Sequence, residues 1–160
     1  MFINFSKRGK MMFKRILVAI DGSPKSRKAL ETALRLKLQS LDTEITVIHV
    51  SETSLKTIIE PCVESSPKIV ILPNSTRMNI IREKDEILEE ARLIAEEMGV
   101  KVRLLNRVGD PASIIVEEAE EGGYDLIVIG GEGLGKSGGI LGSVAIKILK
   151  QFKGSVLVVK

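Results

Sequence analysis

The sequence predicts an α/β protein in which a five-stranded parallel sheet carries helices on both faces. Three observations support that prediction. Five short, mainly apolar runs occur at Ile16–Ile20, Ile45–Val50, within Val100–Val108, at Leu126–Ile129 and at Val156–Val159; continuous apolar runs suit strands covered on both faces. Stretches of helical period separate most of them, and alternating strand and helix makes a parallel sheet. A glycine-rich turn follows the fourth run. Sheets of this kind bind ligands beyond the carboxyl ends of their strands, where the strand order reverses.

Each element has its own local signal. The first run ends in Asp21-Gly22-Ser23-Pro24, where Ser23 can cap a helix and Pro24 suits its first position. Ala29, Leu30, Ala33 and Leu34 give that helix an apolar face. With the second run this makes a βαβ unit. Residues 51–79 form a variable insert punctuated by Pro61, Pro67 and Pro73. Within it Lys68–Leu72 reads either as a short extra strand or as a piece packed over the sheet. A long amphipathic helix is expected next, with Ile80, Ile81, Ile87, Leu88, Ala91, Ile94, Ala95 and Met98 on one face and Gly99 ending it. After the third run, Asp110 and Pro111 open another helix that turns Ile114, Ile115 and Ala119 inward. The last helix places Val144, Ala145, Ile148, Leu149 and Phe152 on one side.

Bulk properties narrow the function. A chain of 160 residues is most simply one domain with a substantial core. The expected organisation is a basic leader over residues 1–12 and a single domain over 13–160. Met11-Met12 marks an alternative start. With 44% apolar and 28% charged residues the composition is that of a globular protein. No apolar run approaches the ~20 residues of a membrane span, and no signal-peptide core is present. A single cysteine, Cys62, cannot form an internal disulfide, so a cytoplasmic location is expected. The net charge of +3 misleads. Five of the 24 basic residues lie in the first fifteen positions, leaving 19 against 21 acidic residues, a net charge of −2. With four Phe, one Tyr and no Trp, that is not the footprint of a nucleic-acid binder. Neither nucleic acid nor membrane is expected as a partner.

The organising stretch is Tyr124–Lys147. Its apolar run is followed by glycines at 130, 131, 133, 135, 138, 139 and 142, and then by a helical pattern from Gly142-Ser143. Strand, glycine-rich loop and helix N-terminus together make an anion site, because glycine admits close backbone approach and the helix start offers free N–H groups. Gly130 to Ser137, GGEGLGKS, satisfies the P-loop pattern G-x-x-x-x-G-K-[ST]. Its context argues against a P-loop. Gly138-Gly139 stand where the P-loop helix would start, and glycine costs a helix roughly 1 kcal/mol per residue. The last run also ends without the acid that would hold Mg²⁺. Lys136 then reads as a loop lysine.

A second pattern spans the same stretch: Gly130-x-x-Gly133, eight residues, then Gly142-Ser143. It resembles the nucleotide motif of the universal stress protein family, in which nine residues occupy that gap. ILVAIDGSPKSRKAL, IHV, GDPASIIVEEAEEGGYDLIVIG and GSVAIKILKQFKGSVLVVK are similar to that family in order and spacing. The resemblance covers residues 13–50 and 80–160. It implies a Rossmann-like, adenine nucleotide α-hydrolase-like fold of strand order 3-2-1-4-5, dimeric through the last strand. It further implies ATP at the ends of strands 1, 2 and 4. Asp21 and the Val50 backbone would hold the base, and the Ala19 and Gly130 backbones the ribose. Gly133, Gly142, Ser143 and Val144 would donate to the phosphates. Mg²⁺ or Mn²⁺ would be held mainly by phosphate oxygens and water.

Outside this stretch the chemistry is sparse. His49 stands alone without metal-spaced partners and reads as a core or strand-end residue. Cys62 has no paired histidine motif. Asp21 also suits a purely structural role at the entry to the first helix. Three functions stay open: an ATP-binding regulatory module, a nucleotide-free dimeric interaction module on the same fold, and a slow ATPase. The loop glycines and Gly142-Ser143 favour the first, and the lack of an evident general base disfavours the third.

Overall fold

The computed structural model describes residues 13–40, 42–52, 85–131 and 141–160. Among these residues nine elements run in the order β1 (Arg15–Ile20), α1 (Pro24–Gln39), β2 (Glu44–Ser51), α2 (Glu86–Glu97), β3 (Arg103–Val108), α3 (Pro111–Glu121), β4 (Leu126–Gly130), α4 (Ser143–Gln151) and β5 (Ser155–Val159). The strands form one parallel sheet in the order β3-β2-β1-β4-β5, as expected.

Alternation along the strands builds two cores. Ile16, Val18 and Ile20 of β1 meet Ile45 and Val47 of β2, beneath α1 and α2. Leu17 and Ala19 face the other way with Ile48, Ile127 and Ile129, beneath α3 and α4. The central strand is therefore apolar at every position from Ile16 to Ile20.

Local signals terminate the elements. Gly99 adopts φ 69° after α2. Its N–H donates to Glu96 O at 2.9 Å, and the Val100 N–H donates to Ala95 O at 2.9 Å. This is a Schellman cap. It draws Val100 into the helix end, which is why β3 begins at Arg103. Gly123, at φ 61°, ends α3 in the same way.

Two expectations need correction. Helix α2 begins at Glu86, capped by Asp85, whose Oδ1 accepts from the N–H groups of Ile87 and Leu88; Ile80, Ile81 and Lys68–Leu72 lie outside the described residues. Leu149 is 44% exposed and does not join the buried face of α4. Ala145 and Ile148 point into the core, and one residue further, about 100° around the helix, the side chain turns to solvent.

Asp85 serves two partners, since its Oδ2 also lies 2.7 Å from His49 Nδ1 on β2. Asp85→Ala removes the cap and is expected to cost about 1–2 kcal/mol in urea denaturation. Asp85→Asn, which can still cap, is expected to cost clearly less.

Candidate functional site

Strand order reverses between β1 and β4, and a cleft of about 430 Å³ opens there at the carboxyl edge of the sheet. The ends of β1 and β2 supply Ala19, Asp21, Val50 and Glu52. The end of β4 supplies Ile129 and Gly130, the start of α3 supplies Pro111 and Ile115, and the start of α4 supplies residues 142–145. A second depression, between α1 and α2, has room for about 20 Å³, little more than one water.

The turn after β1 is tightly bonded. Gly22 takes φ 81°, a conformation that favours glycine. Asp21 Oδ1 accepts from the Ser23 N–H at 2.9 Å. The buried Ser23 caps α1, its Oγ accepting from the Ser26 N–H at 3.1 Å. Asp21 thus orders the helix entry with one oxygen. Its other oxygen accepts nothing from the described residues and remains available to a ligand donor.

Gly130 lines the cleft through its backbone, but its lack of a side chain has a different cause. A Cβ there would stand 2.8 Å from Lys25 C and 2.8 Å from Ser26 N. The end of β4 therefore packs directly against the first turn of α1.

The N-terminus of α4 differs from the other three. Ser23, Asp85 and Asp110 cap α1, α2 and α3 with side-chain oxygens, whereas Gly142 caps α4 with none. The Gly142 N–H donates to Gly131 O at 2.6 Å, closing the base of the loop. Gly142 is therefore not a free donor. The N–H groups of Ser143, Val144 and Ala145 have no partner among the described residues and sit at the positive end of the helix dipole. Free N–H groups at the positive end of a helix are the chemistry of an anion site, and this end faces the cleft. Because α4 begins at Ser143, the helix start does not coincide with Lys136-Ser137 as a P-loop requires.

The opposite wall is tied to α4. Asp110 caps α3 through Oδ2, which accepts from the Ser113 N–H and hydroxyl, and its Oδ1 accepts from Lys147 Nζ at 3.2 Å. The Ser113 hydroxyl first, then its N–H and Lys147, hold the Asp110 carboxyl below its ordinary value of 3.8. A lowered carboxyl contributes stability above its unfolded value, and that contribution disappears as pH falls through the folded value. The stability gap between wild type and Asp110→Asn is therefore expected to be constant near neutrality. It should shrink as pH drops below about 3.8, measured by denaturation across a pH series.

Of the site residues expected from sequence, Ala19, Asp21, Val50, Gly130, Gly142, Ser143 and Val144 come together around this cleft. Gly133, Lys136 and Cys62 lie outside the described residues. His49 points away from the cleft, toward Asp85 on the α2 side. Glu52, Pro111, Ile115 and Ala145 also line the cleft; the sequence marks Pro111, Ile115 and Ala145 as helix residues but not as site residues. Ala145 was legible as the third residue of an uncapped helix, whereas Glu52 carries no local signal.

Comparison with known proteins agrees with this geometry. The sequence model of the Universal stress protein family matches residues 12–160. Universal stress protein YxiE of Bacillus subtilis is 35% identical over 154 residues, covering 93% of this chain and 100% of its own. The structure of MJ0577, a universal stress protein of Methanocaldococcus jannaschii, superposes with a TM-score of 0.68 at 27% identity, over 93% of this chain and 96% of that one. A universal stress protein solved in complex with cAMP shares the fold at a TM-score of 0.64 and 24% identity, over 93% and 98% of the two chains. The family-model match over residues 12–160, the 35% identity to YxiE and the shared fold together place this chain in the universal stress protein family.

Proposed function

We propose that this protein binds an adenine nucleotide, ATP in the first instance, and acts as a nucleotide-dependent regulatory module of the stress response. The observation that carries the proposal is the α4 N-terminus, uncapped and opening into the cleft. The phosphates lie against the N–H groups of Ser143 and Val144 and the Ser143 hydroxyl, with Gly142 shaping the approach. Asp21 and the Val50 backbone receive the base, and the Ala19 and Gly130 backbones flank the ribose. The volume suits a small-molecule site. The cAMP complex of a protein with this fold supports an adenine nucleotide as the ligand class. Among the described residues no group of three or more His, Cys, Asp or Glu side chains is placed to hold a metal. Mg²⁺ or Mn²⁺ is assigned, as the family resemblance implies, to phosphate oxygens and water. Among the described residues no helix is long and apolar enough to cross a membrane.

Ser143→Pro tests the phosphate assignment. Proline is favoured at the first helical position, and Gly142, at φ −70° and ψ 158°, already has the backbone a pre-proline residue prefers. The helix should survive while one N–H and one hydroxyl disappear. Each hydrogen bond to a charged group contributes about 1.5–3 kcal/mol, so with two lost, calorimetric titration with Mg-ATP should show binding weaker by about 150-fold or more, with an unchanged circular dichroism spectrum. Equal affinity in the folded variant places the phosphates elsewhere. Absence of nucleotide binding in the wild type leaves the nucleotide-free interaction module.

We also propose a homodimer through β5. This strand ends the sheet order, and Val156, Leu157, Val158 and Val159 are all partly exposed along it. An edge with unpaired backbone groups invites a second strand, and a two-fold axis pairs it with itself. Sedimentation should give a dimer for the wild type and a folded monomer for Val158→Glu; a wild-type monomer at micromolar concentration refutes the interface.

A further inference from the structure

Among the described residues the cleft is unbalanced in charge. Of those residues two ionisable side chains line it, Asp21 and Glu52, and both are acids. Among the described residues no Lys, Arg or His lines it. The closest cation on α4, Lys147, is engaged by Asp110. Against two carboxylates the α4 N-terminus offers the equivalent of about half a positive charge. Metal-free ATP carries about four negative charges at neutral pH, about two of which are offset when Mg²⁺ bridges its phosphates.

We infer that the cleft sorts adenine nucleotides by the charge of their phosphate tail, and that Glu52 is a residue setting this selectivity. The inference rests on the adenine-nucleotide reading above and adds which form is accepted. A lightly charged tail, such as a cyclic monophosphate, enters without a metal. A triphosphate enters with its divalent cation, because the cation removes the charge that the carboxylates oppose. Asp21 is partly buried and holds the α1 entry through the Ser23 N–H, so its charge is built into the fold. Glu52 is exposed, just past the end of β2 and two residues beyond Val50, and no described residue pairs with it. It can therefore be changed without disturbing the core.

The test is a set of titrations on nucleotide-stripped full chain with adenosine, cAMP, ATP in EDTA and ATP in Mg²⁺. In the wild type, ATP in EDTA should bind more weakly than either cAMP or Mg-ATP. Glu52→Gln should strengthen metal-free ATP by about sevenfold at ~0.01 M ionic strength, falling toward twofold near 0.15 M salt, for a charge on the order of 10 Å from a tail of about four charges. The uncharged adenosine should not change, and Glu52→Lys should extend the gain. Metal-free ATP binding as tightly as Mg-ATP overturns the inference. So does a Glu52→Gln effect of equal size on adenosine and ATP, which would be steric. In both cases adenosine still binds and the nucleotide reading stands. Failure of the wild type to bind adenosine or any nucleotide removes both.

Discussion

The pairing of β1 with β4 is the constraint on which the rest of this structure depends. Ile16 through Ala19 lie in parallel register with Leu126 through Ile129, although more than a hundred residues separate them in sequence. This pairing makes β1 the central strand and requires it to be apolar on both faces. It also splits the chain around a switch point, with β2 and β3 on one side and β5 on the other. Loops leaving β1 and β4 must then diverge, and the space between them is the cleft. The closeness is visible at Gly130, where even one carbon would collide with the backbone of α1.

The two ends of the sheet are built differently. At the amino end of the strands polar groups are satisfied internally. Asp125 Oδ2 accepts from the N–H groups of Lys14 and Arg15, at 2.8 and 2.9 Å. The Tyr124 hydroxyl donates to Thr46 Oγ1 at 2.9 Å in a buried setting. The Arg15 guanidinium lies 4.8 Å from the centre of the Tyr124 ring and donates to Gly122 O. These contacts tie β1, β2 and the α3–β4 turn together. At the carboxyl end, by contrast, one oxygen of Asp21 and the first N–H groups of α4 have no partner among the described residues. A scaffold anchored at one end can leave donors and acceptors open at the other, which is the arrangement a binding site needs.

Helix capping shows the same division between stability and function. Three helices carry side-chain caps that are worth about 1 kcal/mol each. The fourth has glycine at that position, which gives up the cap and leaves the donors exposed. The ion pairs of α2 are of a different kind. Arg92 is paired with Glu89 and Glu96, which raise its already high basicity, but all three side chains are partly exposed. Such pairs contribute little to stability, and the burial of Leu34, Ile48 and Ile127 outweighs them.

Much of the fold was legible in the sequence because its signals are local. Apolar runs, Ser23-Pro24, Asp110-Pro111 and Gly99 act within a few residues of themselves, so five strands, their helices and most caps could be read directly. The lining of the cleft was legible wherever a strand end or helix start marked it, as at Asp21, Val50 and Ser143. Other features depend on what lies opposite. That Leu149 faces solvent follows from which side of α4 meets the sheet. That Gly142 donates to Gly131, and that Gly130 is glycine because of α1, follows from the approach of segments distant in sequence. The presence of Glu52 in the cleft follows from β2 lying beside β1. The sequence alone determined the order and type of the described strands and helices, because hydrophobic period and capping are short-range. Only the tertiary structure decided which polar groups remain free at the cleft, because being free means that no distant segment has come close enough to bond them.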